Sequence, residues 1–329
     1  MSVLGEIQLV ALALLLSVSA AVLLAHLLSS LALPRIAAWT ASERHRALWA
    51  LSVLPALLSA VLFIAALLPT LLALVAPELD HCAHHDDAHP HLCFVHLPHD
   101  AGSSVLWWVL AVLASLLVAG GARFALQLHQ SKRFVSRLLS ASTPHSSQAF
   151  AVVPSDRALC MAVGLWSPTI AISETLLGSL DATGLSVLVA HEQEHQRRRD
   201  AAWQLSARAL SILHTPALRS TLLRELSLAA EQVCDAAATD RVGDALSVAE
   251  TIIQVAKLTQ TVPEFPGVAF FGASATERRV EALLDAPATS TVSRLRTLWL
   301  ASALAVVALL AASPSWHHAV ESALSFLYW

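Results

Sequence analysis

The chain has 329 residues, the length of two modest domains, but 56% are hydrophobic and only 13% charged, against about 45–50% and about 25% in soluble proteins. Ten glycines and four cysteines exclude collagen-like and disulfide-scaffold chains, and the low polarity excludes a disordered one. The net charge of −4 hides an asymmetry: of 20 Lys and Arg, three lie at 35–46 and seventeen between Arg123 and Arg296. That pattern reads as a polytopic membrane protein with one soluble insert.

Residues 7–33 are apolar apart from Gln8, His26 and a few serines, and residues 47–77, 101–122 and 297–316 carry no charge. Each run reaches the ~20 residues a helix needs to cross about 30 Å of hydrocarbon. Pro55 and Pro69 are expected to kink the second span rather than end it. No basic residue precedes Arg35, so the first run is expected to be a span and not a cleaved signal peptide. The positive-inside rule then puts the Arg-bearing 34–46 connection and the 124–294 insert in the cytosol, with both termini outside. Seven of nine tryptophans (Trp39, Trp49, Trp107, Trp108, Trp299, Trp316 and Trp329) fall near span ends, as an aromatic belt requires.

Along the insert, residues 124–142 continue the third span as a basic amphipathic stretch. Strand character follows at 149–153, 159–163 and 169–172, with a turn at Gly164. From Thr183 to about Lys257 the pattern is helical, broken at His214-Thr215-Pro216 and at Gly243. The predicted fold is therefore mainly α, with four transmembrane helices. The domain plan is 1–123 (spans 7–33, 47–77 and 101–123), an α+β insert 124–294, and 295–329 (the fourth span and a short external tail).

The chemistry starts at His191-Glu192-Gln193-Glu194-His195, an H-E-x-x-H pentapeptide inside the helical pattern. Histidines four apart stand one turn apart on one face, so both imidazoles can hold one Zn²⁺ while Glu192 takes a proton from the attacking water. A catalytic zinc wants a third protein ligand. Downstream, Glu231 and Asp235 are four apart and share a helix face, whereas Glu225 points about 120° away. This predicts Glu231 as third ligand and Asp235 as the acceptor that orients a ligand imidazole. For the oxyanion the cytosolic donors are His214, Arg278 and Arg279. Cys234 is expected to be a small buried thiol.

These motifs resemble the BlaR/MecR-type membrane metallopeptidases, peptidase family fifty-six of the metallopeptidases. The resemblance is carried by HEQEHQRRRD at His191–Asp200, by Glu231-Gln232-Val233-Cys234-Asp235, and by Gly164-Leu165-Trp166-Ser167-Pro168 with 169–173. It implies a gluzincin-like domain, autoproteolysis or cleavage of a cytosolic regulator, and a bacterial inner membrane. Arg279-Val280-Glu281-Ala282-Leu283 resembles the arginine element of related membrane peptidases, which favours Arg279 as the catalytic cation. The family's β-lactam sensors carry an S-x-x-K serine. Here His129 and Gln254 stand three before the only lysines, Lys132 and Lys257, so antibiotic sensing by this chain is not expected.

The 78–100 connection holds seven histidines, among them His81, His84, His85, His89 and His91, with Asp80, Asp86, Asp87, Cys82 and Cys93. It reads as an external site for Zn, Cu or Ni, or as a polar connection whose two cysteines form a disulfide. The expected function is a membrane-bound zinc endopeptidase acting on a protein or peptide in regulatory proteolysis, with the bilayer as its other partner and no nucleic acid. The alternatives are a heat-shock type quality-control protease and a metal-binding sensor or transporter.

Overall fold

The computed structural model describes residues 3–76, 92–94, 104–144, 150–164, 168–259, 268–270, 276–285 and 303–328. Three long helices open it: α1 (Val3–Ile36), α2 (Ala41–Val75) and α3 (Ser104–Ser140). All three are long and apolar enough to cross a membrane. A further pair, α10 (Ala303–Ala311) and α11 (Ser313–Tyr328), is bent by 62° and makes a fourth candidate if the two are one span. The stretch after Trp316, expected as a short tail, is thus helical: α11 buries Val320 and Leu324 against Leu9, Leu12 and Ala13 of α1 and Ala66 of α2. The first helix also starts earlier than its apolar run, which brings a buried Glu6 into the bundle.

Neither proline ends α2. Pro55 lacks an N–H, which orphans the Leu51 carbonyl four residues back. His214, at the end of the 3₁₀ turn Ser211–Leu213, satisfies that carbonyl through Nε2 at 2.9 Å. A helix defect is thereby converted into a joint between α2 and the domain. The same face carries Trp49, edge-on to Trp203 at 4.7 Å, with its Nε1 donating to Ser206 at 2.9 Å. Around it Ile36 and Leu48 pack with Ala207, Leu218, Leu222 and Leu226.

The domain is built on a five-stranded sheet in the order β1-β2-β4-β3-β5: Thr143–Pro144, Phe150–Val153, Thr169–Ser173, Cys160–Val163 and Val268–Phe270. The strands β2 and β4 run parallel, and β3 is antiparallel to both neighbours, β4 and β5. Gly164, at φ 113°, supplies the turn after β3 that a side chain would resist. One face packs Met161, Val163 and Ala171 against Phe134, Val135, Leu138 and Leu139, the apolar side of the amphipathic end of α3. The other face buries Cys160, Ile170 and Ile172 with Val187 and Leu188 of the helix Ala182–Arg198 and Val248 and Ile252 of the helix Ala245–Leu258.

The helices of the site follow in chain order: α4 (Glu174–Ser179), α5 (Ala182–Arg198), α6 (Asp200–Leu210), α7 (Pro216–Val242), α8 (Ala245–Leu258) and α9 (Thr276–Leu284). The predicted breaks at 214–216 and Gly243 are present, and a third occurs at Arg199. The histidines at 81, 84, 85, 89 and 91, and Leu165-Trp166-Ser167, lie outside the described residues.

Candidate active site

Helix α5 starts at Asp181, whose carboxylate accepts the Gly184 N–H at 2.7 Å. Its apolar residues Val187, Leu188 and Ala190 face the sheet, which buries the last two turns, and His191, Glu192 and His195 are all at most 3% exposed. The two imidazoles point their Nε2 atoms at each other, 3.1 Å apart. From α7, Glu231 places Oε2 3.5 Å from Nε2 of His191 and Oε1 3.5 Å from Nε2 of His195.

The opposite ring nitrogens are both held by carboxylates. Nδ1 of His191 lies 2.9 Å from Asp235, one turn beyond Glu231 on α7. Nδ1 of His195 lies 2.8 Å from Asp200. With each Nδ1–H committed to a carboxylate, the neutral rings direct two lone pairs and an anionic Glu231 into one buried point. That arrangement suits a cation. Tetrahedral zinc with bonds of about 2.0–2.1 Å sets its ligands ~3.3 Å apart, and the separations of 3.1 and 3.5 Å bracket that value. The residues present therefore fit a metal ion held by His191, His195 and Glu231.

Asp200 has no place in a simple helical reading, since five residues past His195 it would sit about 140° round a continuous helix. Arg199 adopts the left-handed region (φ 56°, ψ 42°), ending α5 and starting α6 in a new direction. The kink folds Asp200 back under His195. The same carboxylate accepts from Nε of Arg198 at 3.1 Å and from the Cys234 thiol at 3.7 Å. Burial pushes that thiol up to about 12, so Cys234 is a neutral neighbour of the site.

Arg279, on α9, is fully buried. Its Nε and Nη2 meet the two oxygens of Asp235 at 2.8 and 2.6 Å, and Nη1 lies 3.1 Å from Glu231. The guanidinium therefore supports the carboxylates behind the ligands. Although burial opposes it, the charge of Arg279 together with the imidazoles holds Glu231 well below the usual carboxylate range, and Asp235 below it as well. Burial works against His191 too, but Asp235 and Glu231 keep it above its ordinary value. Arg278, another oxyanion candidate, pairs in two-point fashion with Glu225 at 2.8 and 2.9 Å on the exterior. His214 is spent on Leu51.

Glu192 sits on the sheet side of the site, against the Cys160 thiol of β3 and within electrostatic reach of both histidines and Glu231. Burial raises its pKa, the direction wanted in a carboxylate that must hold a proton as well as take one.

Two histidines, a glutamate, two orienting aspartates and a buried glutamate thus meet in one buried cluster, of which His191, His195 and Glu231 could hold a metal ion. No curated protein matches the chain. The BlaR1 peptidase M56 family matches it over residues 9–283, which spans α1 to α9 and all six of these residues, and the chain belongs to that family of membrane metallopeptidases.

Proposed function

We propose that the chain is a zinc-dependent membrane endopeptidase that cleaves a protein substrate, itself or a transcriptional regulator, in regulatory proteolysis. The observation that carries this reading is the facing pair of Nε2 atoms at 3.1 Å, each with its Nδ1 on a carboxylate and Glu231 between them. We further propose a bacterial inner membrane with residues 124–294 in the cytosol and both termini outside, from the distribution of the 20 basic residues.

Zinc, when bound, supplies Lewis acidity and lowers the pKa of a coordinated water to about 7. His191, His195 and Glu231 would hold it. Asp235 and Asp200 keep both imidazoles in the tautomer with Nε2 free, and Arg279 balances the charge of Asp235 and Glu231. Glu192 takes the proton of the attacking water and returns it to the amine nitrogen as the peptide bond breaks. Glu192 would make that transfer from a buried position against β3.

The test pairs two variants in purified protein and in cells. His191→Ala should lose the metal, while Glu192→Gln should keep it, abolish cleavage and let the natural substrate accumulate. Full metal occupancy in His191→Ala would end the assignment.

A further inference from the structure

The Asp200 carboxylate stands between the metal site and membrane helix α2. It is fully buried; Oδ2 lies 2.8 Å from Nδ1 of His195 and 3.7 Å from the Cys234 sulfur, and Nε of Arg198 lies 3.1 Å from Oδ1 and 3.3 Å from Oδ2. An ionised carboxylate has about four lone-pair directions, so one on Oδ1 remains to be filled. Nε2 of His45 faces it from 4.0 Å. This imidazole belongs to the first turns of α2 and is 5% exposed, and its Nε2 has no hydrogen-bond partner among the described residues.

A core histidine of purely structural use spends its ring nitrogens on partners, because a buried polar atom left unpaired costs its full desolvation. The placement of His45 is set by stronger contacts around it. Thr40 caps α2 through the Glu43 N–H, Arg44 donates to Gln232 on α7, and Trp49 is clamped by Trp203 and Ser206 on α6. The ring is therefore delivered to Asp200 by the docking of α2 on the domain. From 4.0 Å, an approach of about 1 Å makes it a hydrogen bond.

We infer that His45 is a positioning residue for the metal site, its Nε2–H directed at Asp200 Oδ1 so that His45, Asp200 and His195 form a relay from the second membrane helix to a metal ligand. The inference rests on the metallopeptidase reading above. Fixing the Asp200 carboxylate fixes the tautomer and orientation of His195 and raises its basicity, which is how groups behind a ligand tune metal affinity. Since His45 rides on α2, the strength of that hold depends on where the membrane helix lies.

The experiment uses the full-length protein in detergent with Zn²⁺ and Co²⁺ as probes. Zinc affinity is read by competition with a chelator, and the coordination sphere by the visible spectrum of the Co²⁺ form. His45→Ala should weaken zinc by about 10-fold and shift the Co²⁺ bands. His45→Gln, which keeps an N–H donor, should restore most of both, and Arg46→Ala, on the exposed side of the same turn, should change neither. The His45→Ala and Asp200→Asn effects should fall short of additive. If His45→Ala fails to fold, His45→Phe fills the space without the donor and should reproduce the loss. Wild-type affinity and spectrum in His45→Ala or His45→Phe would overturn the relay. A wild type that binds no zinc would bring down the metallopeptidase reading itself, and the relay with it.

Discussion

Among single residues, Arg279 has the largest predictable effect on stability. It carries the only guanidinium that, among the described residues, meets both Asp235 and Glu231. Removing one partner of a buried ion network leaves the other charge uncompensated, at about 3–5 kcal/mol. Arg279→Ala should therefore destabilise the metal-free protein by about that much in a denaturant titration. Arg279→Lys should restore only part, because an ammonium cannot bridge Asp235 in two-point fashion and reach Glu231 as well. An unfolding midpoint unchanged by Arg279→Ala would mean that water already screens the two carboxylates. Such a result would return Arg279 to the substrate side of the site.

The decisive element is the break between α5 and α6. A non-glycine residue in the left-handed region costs roughly 1–2 kcal/mol, and Arg199 is the one such residue among those described. What it achieves is the return of Asp200 to His195. Arg199→Gly should keep the kink, hold zinc as tightly as wild type and fold at least as stably. Arg199→Val resists that conformation and should push the junction toward continuous helix, loosening zinc by ~10–100-fold, the range expected for losing an orienting carboxylate. Isothermal titration of zinc into both variants, with Asp200→Asn as reference, decides it. Equal affinity in Arg199→Val and wild type would show that the site does not depend on the kink.

Orientation belongs to the molecule as a whole. Glu174 begins α4 at an exposed position of the domain, and Cys93, Cys160 and Cys234 are buried. In a Cys82→Ser background, Glu174→Cys should react with a membrane-impermeant maleimide only after cells are permeabilised. Labelling of intact cells would invert the topology drawn from the basic residues. At this scale α2 emerges as the mechanical centre. One end receives Trp316 and His317 of α11 at the Leu62 and Ala66 carbonyls, and the other meets Asp200, Gln232 and His214. Of its two prolines, Pro55 serves as such a joint, because it deletes an N–H and leaves the Leu51 carbonyl for His214 to claim.

Much of this protein was determined by its sequence alone. Hydrophobic run length and the clustering of arginines specify apolar spans around an insert, since the bilayer imposes a length and the translocation machinery a charge bias. The two candidate ligand histidines and Glu192 are local, being one helical turn with a 3.6-residue period. Glu231 and Asp235 are nearly so, because their four-residue spacing forces a common face. Asp200, His45 and the true surroundings of Arg279 were not legible in the same way. Asp200 becomes visible only once Arg199 leaves the helical region, a backbone choice made by packing of α6 on α2 and against the propensity of arginine. His45 lies 155 residues from Asp200 in sequence, and no period connects them. Arg279 looks like a free cation at a helix start until α9 folds over α7 and two carboxylates claim it. Periodicity reports which side chains share a face, whereas the partner that face meets is set by long-range packing, and in this chain that packing runs through a membrane helix.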